Sequence, residues 1–283
     1  MTSAAYQRAP LRNGVRRTAH LGWLRVLAEL RVFFRTPELV FFTFLLPVLF
    51  VVIFSTVFSG DIQGPPGTKP VAFSQYFVAG MIAAGIMSTT FTSLATTISI
   101  EQRDGLLKRL AGTPLPRASY FIGKLGVALV TSVIQAAIIL GIGIAAFGME
   151  APVSLQKWAV FGWVFVLGVA SCSLLGIAYT RLIRDASSAA AVIQPPYLTL
   201  QFISGVFFKF GQVPGWLQAI ASLFPLRWMA QGFRYVFLPD WVAADDYGGQ
   251  WHLDWIALVL VGWLVGSAVL SMLFFRWNVQ AES

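Results

Sequence analysis

The sequence predicts an all-α integral membrane protein. Its parts are six transmembrane helices, an N-terminal amphipathic interfacial helix, and short outer-leaflet helices between spans five and six. Three observations carry that prediction. Apolar residues make up 57% of the 283-residue chain and charged residues only 11%, against about 25% charged in soluble domains; the mean hydropathy is +0.72. The apolar residues fall in blocks of about 20, the length a helix needs to cross the hydrocarbon core. The basic residues gather in one set of the loops between those blocks, as in membrane proteins of fixed orientation.

The first 37 residues are polar and basic, and the first apolar run is too long for a signal h-region, so no cleavable signal peptide is expected. Within this tail lies HLGWLRVLAELRVFFRTPE. Leu24, Leu27, Leu30 and Phe34 recur at helical spacing with Arg25, Glu29, Arg31 and Arg35 between them. That pattern predicts a helix on the cytoplasmic membrane surface, whether as an anchor alone or as a contact for a partner. Pro37 suits the first turn of the helix that follows.

Six segments are long and apolar enough to span: Glu38 to Ser59, Phe73 to Ser99, Ser119 to Phe147, Trp158 to Tyr179, Ser187 to Phe208, and Trp255 to Phe275. Helices are required because each segment must satisfy its own backbone in lipid. Within the fifth, IQPPY predicts a break near Pro195 and Pro196. Gly262 and Gly266 have the spacing of a close helix contact, and packing is the expected role.

Counting Lys and Arg fixes the orientation. The N-terminal tail, the loop after span two, the loop holding Arg181 and Arg184, and Arg276 together hold fifteen; the opposite loops hold five, Lys69, Lys157, Lys209, Arg227 and Arg234. Both termini are therefore expected in the cytoplasm of a multi-pass plasma-membrane protein. The net charge of +8 is then mostly topology, and a nucleic-acid partner is not expected. Between spans five and six, Gly211 to Asp254 is too apolar for a solvated loop and is broken by Pro214 and Pro225. Two short helices capping the bundle are expected. A seventh span is the competing reading, but it places Arg276 on the wrong side.

No catalytic or metal site is expected. GPPGTKP lacks the G-x-x-x-x-G-K-[ST] spacing of a phosphate loop and reads as a turn. His20 and His252 lie on opposite sides of the membrane, and Cys172 is the only cysteine, so an internal disulfide is excluded. Asp245, Asp246, His252 and Asp254 read as a solvated acidic loop before a cation site. The spans are nearly free of ionisable residues, each of which costs about 2.5–3.5 kcal/mol at a helix centre. Their polar content is mild: Thr89, Thr90, Thr92, Ser93, Thr96 and Thr97 in span two, Gln135 in span three, and Gln194 and Gln201 around Tyr197 in span five. Gln194, Tyr197 and Gln201 line a substrate path or make inter-helix hydrogen bonds. A path without fixed charge favours an amphipathic or hydrophobic cargo over a small ion.

One stretch departs from this apolar background, SIEQRDGLLKRLAGTPLPR, from Ser99 to Arg117. Leu106, Leu107 and Leu110 oppose Lys108 and Arg109 on a short helix, and Gly112-Thr113-Pro114 stops it. A short rigid helix in the cytosol is a docking surface. A lipid-modifying membrane enzyme would need convergent acids, bases or metal ligands at one face, and a passive channel or scaffold would have no need of such a loop.

These segments resemble the membrane subunits of ABC-2 type exporters, the class that includes daunorubicin-type drug exporters and polysaccharide exporters. FFRTPE leads into span one, SIEQRDGLLKRLAGTPLPRASYFIGKL follows span two, and SGVFFKFGQVPGWLQAIASLFPLRWMAQGFRYVFL follows span five. Two positions depart from the pattern: Leu106 stands where Thr is usual after the loop glycine, and Lys209 where Pro often follows the aromatic turn. The resemblance implies residues 1–37 as tail and interfacial helix and 38–283 as the six-span domain. It implies a non-catalytic permease moving a hydrophobic or amphipathic substrate (drug, lipid or natural product) outward, with a glycan exporter as the alternative. Partners would be an ABC ATP-binding subunit carrying the ATP and Mg, a second permease copy or paralogue, and the lipid bilayer. Glu101, Arg103, Asp104, Gly105, Lys108 and Arg109 would couple to the ATPase, together with the interfacial helix.

Overall fold

A computed structural model describes residues 14–58, 60–152, 154–183 and 185–275. Arg8, Arg12, Arg184 and Arg276 of the charge count lie outside the described residues. The chain is helical nearly throughout. α1 (Gly14–Arg35) passes through Thr36 into α2 (Pro37–Val57), with Pro37 in the first turn as expected. A two-stranded hairpin, β1 (Asp61–Ile62) and β2 (Val71–Ala72), flanks the GPPGTKP turn. α3 (Phe73–Met87), one π-helical turn (Ser88–Thr92) and α4 (Ser93–Arg103) then run on as one segment. α5 (Leu106–Ala111), α6 (Arg117–Phe147) and α7 (Leu155–Tyr179) follow. The chain ends with α8 (Ala189–Ile203), α9 (Gly215–Ala221), α10 (Pro225–Phe237) and α11 (Leu253–Phe274).

Among the described residues, five helical segments are long and apolar enough to cross a membrane: Pro37–Val57, Phe73–Arg103, Arg117–Phe147, Leu155–Leu182 and Leu253–Phe274. They coincide with five of the six expected spans. The fifth expected span holds only the 15-residue α8, about 22 Å at 1.5 Å per residue. A turn through Gly205 (φ 74°) follows it.

The expected break at Pro195 and Pro196 does not occur; α8 runs straight through both. Proline cannot donate to the carbonyl four residues back, so Pro196 leaves the Val192 carbonyl open. The Tyr179 hydroxyl donates to it at 3.2 Å. A side chain from α7 thus supplies the hydrogen bond that the proline cannot.

The core is built around α3, which is buried along almost its whole length. α2, α6, α7 and α10 pack around it. The π turn brings the Phe91 backbone onto α7, where a Cβ on Gly176 would stand 2.8 Å from the Phe91 carbonyl oxygen. Only glycine fits there. Thr89 meets Ser132 of α6 at 2.7 Å, joining the same turn to α6. α2 and α11 are the least buried spans. Among the described residues, nothing lies within 4 Å of a Cβ added at Gly262 or Gly266, so the expected close helix contact is not made there.

α9 and α10 are the two short helices expected before the last span. The indole of Trp228 donates to the Ser222 carbonyl and that of Trp263 to the Leu223 carbonyl, both at 2.7 Å. α10 is buried on nearly every side, against α3, α7 and α11. Here the charge pattern misled. Arg227 and Arg234 are fully buried. Asp246 is buried as well and pairs with Arg227, so this acid is not part of a solvated loop. The side chain of Asp245 lies outside the described residues.

Candidate functional site

The charged loop is shaped by its own sequence. α4 ends at Arg103, and Gly105 takes φ 71°, a left-handed conformation that glycine adopts without a Cβ penalty. The chain thereby turns directly into α5. Leu107 is buried against Leu94, Ile98, Tyr120 and Ile177, with Leu110 packed beside it. The opposite face of α5 carries Lys108 and Arg109 into solvent. Arg103 and Asp104 pair at 3.0 Å, each about half exposed, and Arg109 donates to the Asp104 carbonyl at 3.1 Å. Four charged side chains therefore stand on a surface fixed from beneath by leucines.

Glu101 behaves differently. It faces inward, where its two oxygens accept from the Tyr120 hydroxyl at 2.7 Å and from Lys124 Nζ at 2.5 Å. The Lys124 side chain is only 2% exposed and also meets Glu29 of α1 at 2.9 Å. Glu29 in turn pairs with Arg25, one turn earlier, at 2.7 Å. Two acids and two bases thus balance across three helices. Tyr120 lies beneath both cations, its ring centroid 5.5 Å from Lys124 Nζ and 5.9 Å from the Arg25 guanidinium carbon, within cation–π range.

Close contact of α1 with α6 makes this possible. The two run side by side in the same direction, with the Ser119 hydroxyl donating to the Thr18 carbonyl at 3.0 Å. A Cβ on Gly123 would stand 2.4 Å from Arg25 Cγ, and one on Gly126 2.4 Å from Val26 Cγ2. These two glycines admit α1 and bring Glu29 to Lys124. The buried face of α1 is Gly22, Val26 and Phe33, while Leu24, Phe34, Arg31 and Arg35 of the expected stripe stay exposed.

The structure thus brings Arg25, Glu29 and Glu101 together and leaves Arg103, Asp104, Lys108 and Arg109 outward. Sequence reading missed Tyr120 and Lys124 as members of the cluster. The one signal in the sequence is a lysine inside an otherwise apolar helix. Along α8, Gln194 is exposed, Gln201 is buried, and the Tyr197 hydroxyl donates to the Ala84 carbonyl at 3.3 Å. Among the described residues no group of His, Cys, Asp and Glu has the arrangement of a metal site.

Comparison with known proteins gives a consistent picture. Residues 23–238 match the family model of the ABC-2 type transporter. The probable multidrug ABC transporter permease YbhR of Escherichia coli K12 is 29% identical over 203 residues, 72% of this chain and 51% of YbhR. This chain thus spans about half the length of that relative. The inner membrane transport permease YadH of Escherichia coli K12 is 22% identical over 197 residues, 67% of this chain and 72% of YadH. The putative transport permease ycf38 of Porphyra purpurea is 26% identical over 215 residues, 73% of this chain and 70% of ycf38.

Proposed function

The chain belongs to the ABC-2 type transporter family, and from that membership we propose that it is the permease subunit of an ATP-driven exporter. Its cargo is a hydrophobic or amphipathic molecule: a drug, a lipid or a natural product. ATP and Mg bind a separate ATP-binding subunit, and the permease pairs with a second copy or a paralogue. The nearly charge-free spans and the multidrug description of YbhR support this cargo class. Residues 38–283 form the membrane domain, with α8 and its flanking turns as the fifth of six spans and α1 at the cytoplasmic membrane surface. Both termini face the cytoplasm. The α7–α8 connection packs against α4, which puts Arg181 at the same end of the bundle as the charged loop and supports that orientation.

The cluster around Lys124 carries the mechanistic reading. Arg103, Asp104, Gly105, Lys108 and Arg109 meet the ATPase, and Glu101 passes displacement of α5 to Lys124 on α6 and Glu29 on α1. Arg31 and Arg35 face the membrane surface or the ATPase from α1. A nucleotide-driven shift of the partner would then bias the spans between inward- and outward-facing arrangements. Gln194, Tyr197 and Gln201 of α8 lie along the proposed path, Gln194 on the side toward a second copy.

The test is transport by the purified complex in sealed lipid vesicles, using a fluorescent amphipathic dye as probe. ATP-dependent dye movement that stops on removal of Mg is the expected result. Dye movement that ignores ATP would replace the exporter with a passive pore.

A further inference from the structure

The end of the bundle opposite the charged loop holds two cations that neither topology nor transport explains. Arg227 and Arg234 are seven residues apart on α10, two turns, and so share a face. Both side chains are completely buried. A guanidinium stays charged and can only donate. Arg227 Nη2 reaches Asp246, but its Nε and Nη1 have no acceptor among the described residues. Arg234 Nη2 reaches the Gly205 carbonyl, and its Nε and Nη1 likewise have none.

The two groups belong to one cluster. The Arg227 guanidinium carbon lies 3.7 Å from the ring centroid of Phe210, and that of Arg234 lies 3.7 Å from the ring centroid of Tyr76. The Tyr76 hydroxyl oxygen accepts the Phe210 amide at 3.1 Å, which joins the two stacked pairs. Stacking covers the guanidinium faces and leaves their N–H edges available. Tyr76, fully buried, keeps its hydroxyl hydrogen to donate. Among the described residues Arg227 pairs with Asp246 and no carboxylate pairs with Arg234, so one positive charge is in excess in a region shielded from water. A buried charge is tolerated only when paired.

We propose that this cluster is an anion site. One unpartnered N–H edge from each of Arg227 and Arg234, together with the hydroxyl of Tyr76, holds a small monovalent inorganic anion, chloride in ordinary media. One excess positive charge matches one negative charge, and Asp246 opposes a multiply charged ion. Complete burial excludes a headgroup carrying a tail, so neither lipid nor cargo is the ligand. Tyr76 belongs to α3, Phe210 and Gly205 to the connection after α8, and the arginines to α10. The anion therefore neutralises the joint that holds the cap to the bundle.

The test is thermal unfolding of the purified full-length chain in lipid nanodiscs, titrating sodium chloride against sodium gluconate at constant ionic strength. Gluconate is too large for the enclosed site. The midpoint should rise with chloride and saturate, bromide should replace chloride, and Arg234→Gln should abolish the dependence. Arg35→Gln, at an exposed position, should keep it. If Arg234→Gln does not fold, Tyr76→Phe removes one donor and keeps the ring; the chloride needed for half-saturation should rise several-fold. A wild-type midpoint equal in chloride and gluconate would overturn the proposal. So would halide dependence that survives Arg234→Gln, or a half-saturation unchanged in Tyr76→Phe.

Discussion

Lys124 is the residue whose loss should be felt most widely. Replacing it with Met leaves the carboxylates of Glu29 and Glu101 facing each other across an apolar side chain. Breaking one member out of a buried ion pair costs about 3–5 kcal/mol, so Lys124→Met should lower the unfolding midpoint clearly. Glu101→Gln should cost less, because the amide oxygen still accepts from Tyr120 or Lys124. A double-mutant cycle between Lys124 and Glu101 should return a coupling energy well above the 0.2–1 kcal/mol or so of an exposed pair. Additive effects would mean that the short contact contributes nothing. None of this pairing was legible in the chain. Glu29, Glu101 and Lys124 are far apart in sequence, and no local pattern tells a lysine that snorkels to water from one that meets two acids. Legible locally was the loop itself: the leucine face of α5, the glycine that opens it, and the charged side left outward.

Among the elements, α8 and α1 show how local rules and tertiary contacts divide the work. Two adjacent prolines predict a break, and local reasoning had no means of finding Tyr179 on another helix ready to donate to the Val192 carbonyl. Removing that hydroxyl should leave a partly buried carbonyl without a donor, at a cost of about 1 kcal/mol. Tyr179→Phe is therefore expected to destabilise the chain, and the same change in a Pro196→Ala background, where the backbone N–H returns, should be nearly neutral. Equal costs in both backgrounds would show that the hydroxyl does not substitute for the missing bond. For α1, Gly126→Leu should push the helix away from α6 and separate Glu29 from Lys124. A disulfide cross-link between cysteines placed at Thr18 and Ser119 would then form more slowly than in the parent. The amphipathic pattern of α1 predicted a helix but chose a different buried face, because the glycines that receive it lie on α6. Block hydropathy located five spans closely, since length and apolarity are local properties. It overextended the fifth, where the apolar run continues past α8 into the Gly205 turn and Phe207.

For the whole molecule, the charged groups are placed differently at the two ends of the bundle. The described loop cations at one end stand on the exposed face of α5 and beside it, where we propose the soluble partner docks. Two arginines at the other end, counted with the loops, are core residues of the cap. Membership of the ABC-2 type transporter family was legible from three motifs that lie between residues 33 and 238. The largely exposed α2 and α11 offer surfaces for lipid or for the second permease. On this proposal the exposed face of α5 docks an ATP-binding subunit. Its most direct test is gentle purification of the tagged full-length chain from its native membrane, followed by mass spectrometry of what accompanies it. An ATP-binding cassette subunit should co-purify with the wild type and be lost from Lys108→Glu/Arg109→Glu, while the variant remains folded in the membrane. Recovery of the chain alone under conditions that keep known complexes whole, or an ATPase retained undiminished by the variant, would contradict it.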